Sequence, residues 1–146
     1  MSDPREGDAL EAVGVTKMYG AGPAAVRAVD DVSLRVERGE MLCVMGKSGS
    51  GKSTLLHQLG LLDHPTEGSV FIDGVEATAL PEAERGRLRF ERLGYVFQEY
   101  ALLPELTAEE NVYLPGHMLG LSRRECRERA RELLELVGLT EPRPAD

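Results

Sequence analysis

Apolar and polar residues alternate over positions 10–15 and again over 26–36, with valine frequent in both runs. That period of two predicts two half-buried strands. Between them, Tyr19-Gly20-Ala21-Gly22-Pro23 predicts a turn or short loop. Arg38-Gly39-Glu40 predicts another turn, and residues 41–45 are continuously apolar, which predicts a short strand buried on both faces. A glycine-rich loop follows, then a helix over 53–59. Pro65-Thr66-Glu67-Gly68 reads as a turn, 69–72 as a strand and Asp73-Gly74 as a hairpin turn. Residues 81–93 predict a charged helix with Pro81 suited to its first turn, and 94–98 a second short apolar strand.

Two helix starts are legible residue by residue. Thr107-Ala108-Glu109-Glu110 and Ser122-Arg123-Arg124-Glu125 both place a hydroxyl three positions before a carboxylate. In that capping box the two side chains satisfy amide groups that the first helical turn leaves without partners. The second helix would carry Cys126, Ala130, Leu133, Leu134 and Val137 on one face and stop at Gly138. Residues 1–9 read as a loose tail, 10–146 as one domain, and 141–146 as a closing loop. No internal repeat or low-complexity tract is present.

Composition narrows the function classes. In 146 residues, 29% are charged and 42% hydrophobic, the balance of a globular chain with a modest core. A net charge of −8 argues against nucleic acid as a partner, so any anion must be held by a local site. The apolar runs fall far short of the roughly twenty residues needed to span a bilayer, and the charged N-terminus MSDPREGD has no signal-peptide core. The expected location is cytosolic, or on a membrane only through a partner. Cys43, in the apolar run 41–45, and Cys126, in a helical stretch, are expected to be buried free thiols of a reducing compartment, with a disulfide as the alternative, and no CxxC or Cys/His cluster suggests zinc. The mixed charges Glu82, Glu84, Arg85, Arg87 and Arg89 read as a solvated helix face, and His57, His64 and His117 are too scattered to form a metal set.

The chain has three lysines, Lys17, Lys47 and Lys52, and two of them lie in the stretch GKSGSGKST. Gly46-Lys47-Ser48-Gly49-Ser50-Gly51-Lys52-Ser53, followed by Thr54, fits G-x-x-x-x-G-K-[ST]. The spacing has a physical reason. A polyphosphate needs several amide donors aimed at one point, and residues without Cβ atoms let the backbone wrap that closely. The following helix adds the positive end of its dipole. Lys52 would set a cation on the β- and γ-phosphates, and the Ser53 hydroxyl suits Mg²⁺, a hard ion that prefers oxygen. A glycine-serine linker shares this composition, but not the apolar strand before it and the apolar-faced helix after it.

With the motif in place, the phrases VDDVSLRVERGE, STLLHQLGLLDHPTEG and YVFQEYALLPELTAEENVYLP make the chain resemble the ATP-binding subunits of ABC transporters over residues 10–146. The branch it looks like includes the lipoprotein-release and macrolide-export ATPases. The resemblance implies an α/β P-loop NTPase fold of the ABC ATPase type: an N-terminal antiparallel β-subdomain, an incomplete RecA-like core and the start of a helical subdomain. It implies ATP and Mg²⁺ as cofactors. Tyr19, in VTKMYG, matches the aromatic residue that stacks on adenine. Gln98, in YVFQEY, matches the glutamine that contacts Mg²⁺ and the attacking water, so Ser53 and Gln98 would hold the metal and Lys52 and Gln98 would serve catalysis. Residues 102–115 would face a transmembrane permease, with Leu103, Leu106 and Tyr113 as candidate contacts. A second ATP-binding subunit would complete a head-to-tail dimer, peripheral on the cytoplasmic face of the membrane.

The chain also departs from the family pattern. No LSGGQ-type signature, no apolar strand ending in Asp-Glu and no histidine beyond His117 is found, and Gly120-Leu121-Ser122-Arg123-Arg124 is not the signature. The expectation is a truncated ATP-binding domain, marginal in its folding, that binds nucleotide weakly at best and does not hydrolyse it alone. A nucleotide-binding or interaction fragment without turnover is the alternative. A P-loop kinase or GTPase is disfavoured by Gln98 in its YVFQ setting and by the lack of a guanine-reading Asn-Lys-x-Asp.

Overall fold

The computed structural model describes residues 8–98 and 101–139, which divide into two compact units, one ending at Tyr95 and one beginning at Val96. In the first unit, β1 (Asp8–Tyr19) and β2 (Val26–Glu37) form a long antiparallel hairpin around a short 3₁₀ turn, Gly22–Ala24. Strands β3 (Glu67–Ile72) and β4 (Val75–Glu76) complete an antiparallel sheet of order β2-β1-β3-β4. The alternation of small and branched apolar residues predicted these strands, and hairpin pairing carries β1 on to Tyr19, opposite Val26. Asp8 and Ala9, expected in the tail, belong to β1, with Asp8 opposite Glu37. Residues 1–7 of that tail, Glu99, Tyr100 and the closing loop over 141–146 lie outside the described residues.

Helix α1 (Lys52–Leu59) packs Leu55 and Leu59, one turn apart on a single face, into a core of Ala12, Val15, Val29, Val70 and Ile72. Burying each such side chain is worth about 1.5–3 kcal/mol. Helix α2 (Glu82–Arg92) begins just after Pro81, which stands at its N-cap.

The charged face expected on α2 is only partly solvated. Arg85 is 4% exposed, and its guanidinium donates to Glu82 Oε2 at 2.8 and 3.0 Å and to the Asp63 carbonyl at 3.2 Å. Arg89 donates to the Leu61 carbonyl at 2.8 Å. The sequence pattern missed the bonds to Asp63 and Leu61 because those two acceptors are backbone carbonyls just past the end of α1, invisible to residue type.

The two short apolar runs are not strands. Residues 41–45 and 94–98 enter no ladder among the described residues. Met41 is 95% exposed and Val96 fully so. A buried strand needs a neighbour on each edge, and no described segment supplies one. Cys43 is consequently exposed, against expectation, while Cys126 is buried; both thiols are free.

In the second unit, α3 (Ala108–Met118) and α4 (Arg123–Leu136) pack against each other. Both begin with complete capping boxes, Thr107 with Glu110 and Ser122 with Glu125. In each, the hydroxyl and backbone hydrogen bonds of the cap hold the glutamate carboxyl below its ordinary range. On α4, Cys126 and Ala130 are buried, but Leu133 and Val137 of the expected apolar face are exposed. Asn111 was not anticipated: its amide accepts from Leu103 N at 2.8 Å and donates to the carbonyls of Leu103, Leu106 and Thr107 at 3.0–3.1 Å. One side chain thus fixes the loop that leads into α3. Leu103 is exposed there, whereas Leu106 and Tyr113 are half-buried. No helix of the described residues is long and apolar enough to cross a membrane.

Candidate functional site

The loop over 46–51 enters from Val44, which packs against the core, and leaves into α1. Lys47, Ser48, Gly49 and Ser50 are exposed, and Ser50 N closes a turn onto the Lys47 carbonyl at 3.2 Å. Lys52 folds back over this turn: its Nζ donates to the carbonyls of Gly46 at 2.8 Å and Lys47 at 2.7 Å. Its ammonium is therefore fixed above the loop rather than loose in solvent. The Ser53 side chain is exposed, and Thr54 is half-buried.

The start of α1 differs from those of α3 and α4. Its N-cap is Gly51, in a left-handed conformation, and no side chain caps the amides that follow. A helix leaves its first four N–H groups without internal partners, and Ser, Thr, Asp or Asn is the usual remedy. Here the residue type that would cap is absent, and the first helical residue is the cation Lys52. The donor set suits an oxyanion, and the exposed Ser53 hydroxyl offers a hard oxygen beside it. Of the three loop glycines, the protein's own backbone explains one, Gly51. A Cβ on Gly46 would meet Ser50 Oγ at 2.5 Å, and one on Gly51 would overlap the Ala28 carbonyl oxygen, while one on Gly49 would meet nothing.

The far end of α1 is fixed by the Tyr95 hydroxyl, which donates to the Gly60 carbonyl. Burial pushes the Tyr95 pKa up, against the pull of Arg89 and Arg85, so the hydroxyl remains a donor. Just beyond, Asp63 gathers a polar cluster that the sequence did not disclose. Lys17 Nζ lies 2.8 and 2.9 Å from its two carboxylate oxygens, Gln58 Nε2 donates at 3.1 Å, and His64 N at 2.7 Å. Tyr19, at the end of β1 and 44% exposed, directs its hydroxyl to the same carboxylate at 3.4 Å. The only sequence signal was Lys17 standing two residues before Tyr19, on the same face of a strand.

Burial alone would raise the Asp63 carboxyl. The hydrogen bonds from Lys17, His64 N and Gln58, with the charge of Lys17, outweigh it and bring the pKa from 3.8 to about 2. A depressed folded-state pKa contributes stability that is present above pH 3.8 and is lost as the pH falls toward about 2. Denaturant midpoints measured across that interval should fall for the native chain. Asp63→Asn should be less stable at neutral pH and should lose that part of the acid slope; an unchanged slope would contradict the cluster.

Of the residues expected to form the site, Tyr19 and 46–54 lie in the first unit. Gln98 belongs to the second unit and is exposed.

The chain as a whole is similar to known proteins. Residues 29–145 match the family model described as ABC transporter. The lipoprotein-releasing system ATP-binding protein LolD of Bordetella pertussis is 50% identical over 140 residues, covering 95% of this chain and 61% of its own length. The macrolide export ATP-binding/permease protein MacB of Burkholderia pseudomallei is 45% identical over 135 residues, covering 92% of this chain and 21% of its own. Among solved structures, the ATP-binding cassette MJ0796, in a dimeric post-hydrolysis state bound to ADP and Pi, superposes with a TM-score of 0.82 at 41% identity. That match covers 90% of this chain and 58% of the cassette. The chain thus spans about three fifths of the length of the LolD relatives it matches. Its sheet and helices make part of the α/β fold of such cassettes, and it belongs to the ABC transporter family, in the branch of its relatives LolD and MacB.

Proposed function

We propose that residues 46–54 hold the phosphates of Mg-ATP and that Tyr19 stacks on its base. The observation that carries this reading is the uncapped start of α1, with the Lys52 ammonium seated on the Gly46 and Lys47 carbonyls beside it. The uncapped amides and the cation are neighbours in sequence, and both favour an anion. The lysine would exchange carbonyl oxygens for phosphate oxygens, trading neutral acceptors for charged ones. Ser53, beside the loop, would hold Mg²⁺, which when bound would neutralise phosphate charge. Tyr19 offers an exposed flat ring to a flat base.

In the whole protein this site would drive export by ATP hydrolysis. A separate permease would dock on residues 102–115, a second ATP-binding subunit would pair head to tail, and the assembly would sit on the cytoplasmic face of a membrane. The relatives' names support this reading: an ATP-binding protein of a release system, a joint ATP-binding and permease protein, and a dimeric cassette with ADP and Pi. For this chain taken by itself, binding without turnover is the second reading. Its sequence carries no apolar strand ending in Asp-Glu after the phosphate loop. A general base of that kind is typically worth about 10²–10⁴ in rate.

Titration calorimetry with ATP tests the site. Uptake should require magnesium, and Lys52→Ala should weaken it by about 10- to 100-fold, the worth of one or two charge-assisted hydrogen bonds. Undiminished uptake by Lys52→Ala would overturn the assignment. Steady phosphate release that Lys52→Ala abolishes would refute binding without turnover.

A further inference from the structure

Tyr19 does not stand alone at the end of β1. Lys17 Nζ lies over its ring, 5.2 Å from the centroid, and so takes one of the two aromatic faces. The Lys17 side chain is only 13% exposed and is itself fixed, by both Asp63 oxygens and by the His64 carbonyl at 2.6 Å. The edge of the ring is held as well, since the hydroxyl reaches Asp63 Oδ2. A ring restrained at one face and at its edge keeps the other face to offer.

Asp63 also reaches in the opposite direction. Gln58 is fully buried on α1, the helix whose first residue is Lys52, and its amide nitrogen donates to the same Asp63 oxygen. Its other amide atom, Oε1, is buried with no partner among the described residues. A buried acceptor left unpaired costs about 1–3 kcal/mol, so a leucine would pack there more favourably. The amide accounts for itself through the carboxylate it steadies. One carboxylate thus joins the aromatic ring to the phosphate-loop helix.

We propose that Lys17 and Asp63 are positioning residues for a purine base: together they fix which face of Tyr19 is presented, and through Gln58 they set that ring in register with the α1 helix. This rests on the reading of Tyr19 as the base-stacking residue. Neither residue touches the triphosphate in this scheme, so their removal should be felt by the base and not by the phosphates.

The test compares calorimetric affinities of the chain for magnesium ATP and for magnesium tripolyphosphate, which has the phosphates but no base. Lys17→Met should weaken ATP by about three- to tenfold, the worth of one modest polar contact, and leave tripolyphosphate unchanged. Lys17→Arg should restore most of the loss. In a Tyr19→Ala background, Lys17→Met should have no further effect, because the ring it positions is gone. Tyr19→Phe, which keeps the ring and removes only its link to Asp63, should shift the ATP-to-tripolyphosphate ratio in the same direction and keeps the test decisive if Lys17→Met does not fold.

Equal weakening of both ligands by Lys17→Met would make its role structural and overturn the proposal. So would a further loss in the Tyr19→Ala background, or an unchanged ratio in both Lys17→Met and Tyr19→Phe. If Tyr19→Ala itself leaves the preference for ATP over tripolyphosphate intact, base stacking fails and the proposal falls with it. If Tyr19→Ala abolishes that preference while the Lys17 and Tyr19→Phe variants keep it, stacking stands and positioning alone is refuted.

Discussion

Gly51→Ala is expected to abolish magnesium-dependent ATP uptake and to destabilise the first unit by about 2–5 kcal/mol, combining left-handed backbone strain with overpacking. Gly51 has φ +85° and is the N-cap of α1. The added methyl would fall on the carbonyl oxygen of Ala28, part of strand β2 and next to the buried Val29. A flexible side chain could turn aside; a carbonyl in a paired strand cannot. Relief must come from α1 or the loop moving, and either motion disperses the amides from Lys52. Gly49→Ala is the control, because Gly49 shares the positive φ (+79°) but its methyl would meet open space. It should cost only the backbone strain, about 1–2 kcal/mol. Thermal melts and calorimetry on the two variants should therefore separate. Equal behaviour of Gly51→Ala and Gly49→Ala would mean that the loop does not rest on β2 as described.

Gly68→Ala should be more damaging still, removing the cooperative melt of the sheet. Gly68 lies in β3 at φ +87°, where β3 passes an irregularity in β1 between Val13 and Thr16. A Cβ there would overlap the Gly14 carbonyl, with its carbon at 2.5 Å and the Val13 carbonyl oxygen at 2.6 Å. Both obstacles are backbone atoms of the central strand. β1 would have to part from β3, and the pairing that covers Val15 and Val70, both fully buried, would open. Loss of such packing typically costs several kcal/mol, a large share of the 5–15 kcal/mol that holds a domain folded. A variant that melts with the native midpoint would contradict this arrangement of β1 against β3.

What the sequence disclosed and what it withheld divide along a physical line. Strands β1, β2 and β3, the helix after the glycine loop and both capping boxes were legible, because each depends on residues within a few positions of one another. The family phrases did the same for the fold. Residues 41–45 and 94–98 misled because an apolar run states only a wish to be covered; becoming a strand requires a partner from elsewhere. Arg85 misled in the opposite sense, since its charge suggested solvent while, besides Glu82, it is held by a backbone carbonyl of a distant turn. The Lys17–Asp63 pair is 46 residues apart in sequence, and no local pattern announces it. The phosphate loop was found from its spacing, but that the Ala28 carbonyl forbids a side chain at Gly51 follows only from the packing of α1 on β2.

The order of the sheet also dictates a sequence of events on the ribosome. β1 finds its first neighbour almost at once, because Tyr19 faces Val26 across a tight turn. Its second neighbour arrives much later, for Thr16 must wait for Glu67. At elongation rates of roughly 5–20 residues per second, the nascent hairpin spends on the order of seconds with one flank of β1 uncovered while the glycine loop and α1 emerge. Slow translation across that interval would lengthen the window in which the hairpin is open to wrong neighbours, and rapid translation would close it.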